Sequence, residues 1–415
     1  MNSYSLQASQ TRASKPVYRL TATLYMLFML LTSAAKLQSI AQAQAPPPIT
    51  ASGGLNTHVN LSSDAPIGKV QYDITGGTRA GSNVFHSFGD FSIPNSHIAN
   101  FLNDTGLTNT THILGRVTGG NVSTIFGTLQ TTGFGQANLF LMNPAGIVFG
   151  PHASLNVGGS VSFATADYIT LADGVRFNAI PNVAADSLLS AAPISTFGFI
   201  SSAPAAISSQ GSTLIVRPKQ SLSLVGGNRE VIYTHPDTEA ATSIPSGVTV
   251  TAGRLSAPGG QINIASVASS GEVSAADFMQ TPSMTMGDIN FSQAATLSVS
   301  GKAAGTVRIR GGQLVITDAT ISANTRNANG APIAIDIMLT KDLSVTDTRG
   351  AATITAKARD SGDAGEVHIS AANITITSTS DSSFAAIDTH TLGSGKGGDV
   401  TIAAPGTLTV TGVSN

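Results

Sequence analysis

The chain has 415 residues and no cysteine, which excludes disulfides and thiol chemistry. Only 11% of residues are charged and 5% aromatic, against 41% hydrophobic, so a core is affordable only if Val, Ile, Leu and Ala build most of it. The net charge is −2 and no basic face stands out, which argues against nucleic acid as a partner.

Residues 1–43 carry Arg12, Lys15, Arg19 and Lys36 and no acid, so the remainder holds 17 − 23 = −6. A basic leader, the apolar run LYMLFMLL at residues 24–31, and small residues at Ala41-Gln42-Ala43 read as a secretory signal peptide cut between Ala43 and Gln44. The apolar run is well short of the roughly 18–20 residues that span a bilayer.

Residues 44–55 are a Pro- and Gly-rich lead-in. From Asn56 to Arg229 short apolar alternations are broken by Gly, Asn and Pro, which gives irregular β structure. Helical patterning is confined to residues 184–191, enough for two turns. Residues 231–247 (VIYTHPDTEAATSIPSG) read as a boundary loop, which divides the chain into a signal (1–43), a leading domain (44–235) and a repeat region (236–415).

The repeats follow one formula: a turn Gly, an x-h-x-h strand, a few polar residues and a second h-x-h strand. Ile289/Phe291, Val307/Ile309, Ile335/Ile337, Val367/Ile369 and Val400/Ile402 mark the first strands. Leu297/Val299, Leu314/Ile316, Leu343/Val345, Ile374/Ile376 and Leu408/Val410 mark the second, and Thr320-Ile321-Ser322 and Thr353-Ile354-Thr355 are third pieces. Taken as equivalent, 289, 307, 335, 367 and 400 give a solenoid period. Alternation puts Val, Ile and Leu on one face, and one unit cannot bury that face without a neighbour. The expectation is an all-β solenoid whose last repeat stops within a coil at residues 410–415, as in a piece of a longer protein.

The most specific stretch is residues 137–160, ANLFLMNPAGIVFGPHASLNVGGS. With FHSFGDFSIP (85–94), GRVTGGN (115–121), IFGTLQ (125–130), FGF (197–199) and LSLVGG (222–227), it resembles the haemagglutination-activity, or two-partner secretion, domain of filamentous-haemagglutinin-type exoproteins. The resemblance covers roughly residues 50–230, directly behind the signal. It implies a right-handed parallel β-helix (β-solenoid) with irregular β elements in the secretion domain. It also implies a partner, an outer-membrane β-barrel transporter whose periplasmic domains recognise the secretion domain. The implied address is secreted or cell-surface, reached through the periplasm of a Gram-negative-type bacterium. The family's Asn-Pro-Asn-Gly-Ile recognition motif stands here as Asn143-Pro144-Ala145-Gly146-Ile147, with the third position changed, and its Asn-Pro-Asn-Leu motif is missing. On the residues alone, Asn at i, Pro at i+1 and Gly at i+3 also describe a structural type I turn.

No catalytic, cofactor-binding or metal residues emerge. Asp288, Glu366 and Asp399 share a place after the turn Gly, but Thr306 and Ala334 interrupt the series, so no carboxylate pair for glycoside cleavage repeats. The eight His form no His-x-x-x-His spacing. Gly393-Ser394-Gly395-Lys396 mimics a phosphate loop, but His390 stands where its first Gly belongs. The reading is a non-enzymatic exported rod serving adhesion, with a host-cell, carbohydrate or other surface receptor as its ligand. The alternative is a β-helical polysaccharide-degrading enzyme.

Overall fold

A computed structural model describes residues 47–106, 108–379 and 383–412. The expected signal peptide and its expected Ala43–Gln44 cut lie outside the described residues. Period-two strands wind into a parallel β-helix, as the sequence pattern and the family resemblance imply. Each coil contributes one strand to each of three sheets, which hold twelve, nine and eleven strands. We call them faces 1, 2 and 3, represented in one coil by Asn138–Met142, Ile147–Phe149 and Ser154–Asn156. Parallel pairing stacks like on like. On face 1, Ile262, Val307, Ile335, Val367 and Val400 lie in one row. Inward aliphatic rows of this kind form a single core running from Ile49 to Ile376.

The stacking corrects the repeat assignment. Ile289 belongs to face 2, aligned with Val248 and Leu314, whereas Val307, Ile335, Val367 and Val400 belong to face 1. Leu297 lies on face 3 with Leu255 and Ile321. Gly287 before Ile289 and Gly305 before Val307 made two different corners look alike. The expected boundary segment is likewise ordered. Val231–Thr234 and Ala241–Ile244 form an antiparallel hairpin outside the helix. Beneath it the stack continues, with Ile207–Gln210 pairing Val248–Thr251 and Ser221–Gly227 pairing Gln261–Val267. No break in the stacking marks residues 235–236.

At the base, the parallel rule is reversed. Ile49–Ala51 runs antiparallel to Asn83–Phe91, and Thr57–Leu61 antiparallel to Val70–Gly76, so faces 1 and 3 both end on a reversed strand. His86 points inward here between Phe88 and Phe101, with Thr57 Oγ1 3.4 Å from its Nδ1. Burial pushes its pKa down to about 3.

A flap lies over the outside of face 1. Tyr168–Leu171, Arg176–Asn178, Ile194–Phe199 and Gly271–Ser274 make a four-stranded sheet. Its Ile169, Phe177, Phe197 and Val273 pack on outward residues of face 1, including Phe85, Leu114, Met142 and Val225. The helix expected at residues 184–191 is one turn, Val183–Asp186, capped by the Asn182 side chain. It buries no residue, and so short a helix has no other source of stability. What holds it is Arg116, fully buried on face 1. Its guanidinium donates to Asp186 Oδ1 and Oδ2 at 2.8 and 2.7 Å and to the Asn178 carbonyl at 3.0 Å, while Nε donates to Ser87 Oγ at 2.9 Å.

Candidate recognition corner

Residues 143–147 form the corner between faces 1 and 2, as their composition suggests. The Gly146 amide donates to the Asn143 carbonyl at 3.1 Å, closing the turn. The Asn143 side chain accepts from the Ala145 amide at 2.9 Å, the local bond that favours Asn in turns. It also reaches the coil below, donating to the Asn121 carbonyl and to Ser123 Oγ, both at 2.9 Å. Asn143 is only 1% exposed, so its amide is committed to these partners.

Gly146 sits at φ +123°, where a side chain is strained, and a Cβ there would stand 3.1 Å from a Val231 methyl. Ile147 is fully buried and starts the face 2 strand, beside Ser123 and Ile207. The structure therefore brings all the motif residues into one corner but exposes only part of it. Asn143, Gly146 and Ile147 face inward, while Pro144 and Ala145 are half-buried at the surface.

The hairpin of residues 231–244 leans over this corner. Val231, Tyr233 and Ile244 pack on Phe126, Val148 and Ala206, and Ile232 on its other side is 68% exposed. Between the hairpin and the segment below the corner lies a recess of about 320 Å³, bordered by Asn121, Val122, Thr124, Ile232 and Tyr233. The Tyr233 hydroxyl is buried without a hydrogen-bond partner among the described residues, and burial raises its pKa. The sequence reading missed this element. Its signal was the alternation V-I-Y-T, obscured by the Pro and Asp residues that follow.

The acidic residues are spent on structure. Asp288 precedes a face 2 strand, so it does not share a row with Glu366, the first residue of a face 1 strand, or with Asp399, which precedes the next one. Asp288 pairs with Lys341 at 3.7 Å and Glu366 with His368 at 2.7 Å. The Asp318 carboxylate is opposed by desolvation. Donation from the Thr348 hydroxyl and the amides of Thr348, Arg349 and Gly350 outweighs this and brings its pKa down to about 2. Among the described residues no cluster of His, Asp and Glu suits a metal ion.

Three parallel faces, a reversed base and elements laid over faces 1 and 2 define a β-helical domain with outer decorations. The family model described as TPS secretion domain matches residues 49–309, and the chain belongs to that family, the secretion domains of two-partner secretion exoproteins. Two solved structures are similar along its length. A filamentous hemagglutinin secretion domain is 16% identical with a TM-score of 0.33, covering 89% of this chain and 100% of its own. The HMW1 secretion domain from Haemophilus influenzae is 17% identical with a TM-score of 0.38, covering 85% and 100%. No curated protein sequence matches.

Proposed function

We propose that this chain is a non-enzymatic exported rod whose corner at residues 143–147 is read by the periplasmic domains of an outer-membrane β-barrel transporter, the coils beyond serving surface binding. The observation that carries this reading is the meeting of two features. The Asn143 side chain of the corner is bonded to Asn121, which lines an open recess, and the exposed Ile232 lines the same recess. A docking segment would fill the recess and cover Ile232. Asn143, Gly146 and Ile147 act by fixing the shape of the corner, and Pro144 and Ala145 offer the contact surface. The signal peptide 1–43 delivers the chain to the periplasm, and mature protein begins at Gln44.

Secretion assays with the transporter present test this. Ile232→Asp changes an exposed side chain, so it should keep the wild-type melting curve and accumulate in the periplasm. Asn143→Ile should accumulate too. It also strands the Asn121 carbonyl, at a cost of roughly 1–3 kcal/mol in stability. If folded Ile232→Asp and Pro144→Ala proteins both leave at the wild-type rate, the corner is structural and recognition lies elsewhere.

A further inference from the structure

Successive coils turn from face 2 to face 3 with corners of different length. Residues 293–295 make one, residues 318–319 the next, and residues 348–351 the third. The short middle corner is recessed between two longer ones, which leaves a groove of about 1020 Å³ on the outside of the rod. Asp318 sits at its floor with φ +51° and holds the third corner in place through the amides of residues 348–350. All the remaining side chains along the groove are small or polar, Asn290, Ser292, Gln293 and Thr317 among them. Arg349 is the one basic residue lining it. Its guanidinium is exposed and has no ion-pair or hydrogen-bond partner among the described residues.

We propose that this groove binds a carboxylated saccharide, such as a uronic-acid segment of a surface polysaccharide. The volume is at the upper end of the range for small-molecule sites, roughly 300–1,000 Å³, and suits a short oligosaccharide. The side-chain amides of Asn290 and Gln293 and the hydroxyls of Ser292 and Thr317 can donate to and accept from ring hydroxyls, which carry both functions. The Arg349 fork fits a carboxylate with two parallel hydrogen bonds. Asp318 cannot cleave what binds, because its oxygens are already occupied and the groove lining holds no second carboxylate. The inference rests on the surface-binding part of the proposed function and names its ligand class.

The test is titration of the purified protein with hexagalacturonate, followed by calorimetry. Maltohexaose serves as the neutral probe and a sulfated dextran oligomer as the other anionic one. Wild type should bind hexagalacturonate and not maltohexaose. Arg349→Ala should weaken binding about tenfold, the loss of one charge-assisted contact. Arg326→Ala, an exposed charge outside this groove, should change nothing. The site is overturned if hexagalacturonate does not bind, if both arginine variants weaken binding equally, or if the sulfated oligomer binds better regardless of Arg349. Adhesion to immobilised polysaccharide separates the two readings. Adhesion that survives Arg349→Ala overturns this site and keeps surface binding, whereas a wild type that adheres to nothing overturns both.

Discussion

Strands His112–Val117 and Glu366–Ser370 lie in the same sheet, yet the first buries five consecutive residues and the second only alternate ones. The coils up to Val267 have a second core outside face 1, where Leu114 and Met142 meet the flap. The coils above have solvent there. The lower coils are also aromatic, with Phe88, Phe101, Phe149 and Phe163 in the helical core, whereas above Phe291 the core rows are aliphatic and Ala. A parallel strand covered on both faces reads as a continuous apolar run, and period two survives only where one side is wet. The two regions share a fold and differ in how many sides of the sheet are dry.

The largest effects should come from charge placed on neighbouring positions. Ile113→Asp and Leu114→Asp point to opposite sides of a doubly covered strand, and each should cost several kcal/mol. In the upper coils Val367→Asp should be as damaging, while His368→Asp should shift the melting temperature little. Thermal melts of the four variants read this directly. A tolerated Leu114→Asp would mean that the flap does not close on face 1 in solution.

Ion pairs give the next contrast. Removing one partner of the buried Arg116–Asp186 pair, as in Arg116→Met, should cost about 3–5 kcal/mol. Lys357→Met breaks a pair at 2.9 Å whose side chains are 22% and 28% exposed, and should cost about 1 kcal/mol or less. Urea unfolding midpoints with unchanged slopes would establish the difference, and equal losses would erase it.

A pH-dependent effect centres on the base, where burial lowers the pKa of His86 furthest; burial also lowers that of His112 in the next coil. His86 is neutral in the folded chain down to about pH 3, whereas the unfolded chain takes up a proton below about 6.5. Stability from this group is therefore complete above pH 6.5 and declines as pH falls toward 3, by up to about 1.4 kcal/mol per unit. Between pH 6.5 and 4.5 the depressed carboxylates are still ionised, so His86→Gln should flatten the decline in that window. An unchanged slope in the variant would assign the acid sensitivity to other groups.

The same contrast explains what could be read from the sequence. Val367, Ile369, Ile374 and Ile376 announce their strands because polar residues alternate with them, and the solenoid follows. Leu139, Leu141 and Met142 sit in a stretch whose burial comes from two cores, so its strand was visible but its second partner was not. Corner identity was lost wherever the turn residues matched, which is how Ile289 came to be grouped with Val307. The Asn143–Gly146 turn was legible from residue preferences within four positions. Its contacts with Asn121, Ser123 and Val231 depend on which coil lies below and which hairpin folds back, and no local pattern carries that.

The reversed strands at the base have a consequence for how such rods behave in a crowd. Parallel and antiparallel ladders space their donors and acceptors differently. A second molecule approaching with a parallel coil edge therefore meets, at Ile49–Ala51 and Thr57–Leu61, a row it cannot continue in register. In the vocabulary of fibril growth, faces 1 and 3 are poor seeds at that end. A stack of identical coils is a template for its own extension, and two reversed strands of three and five residues interrupt the template on two of the three faces.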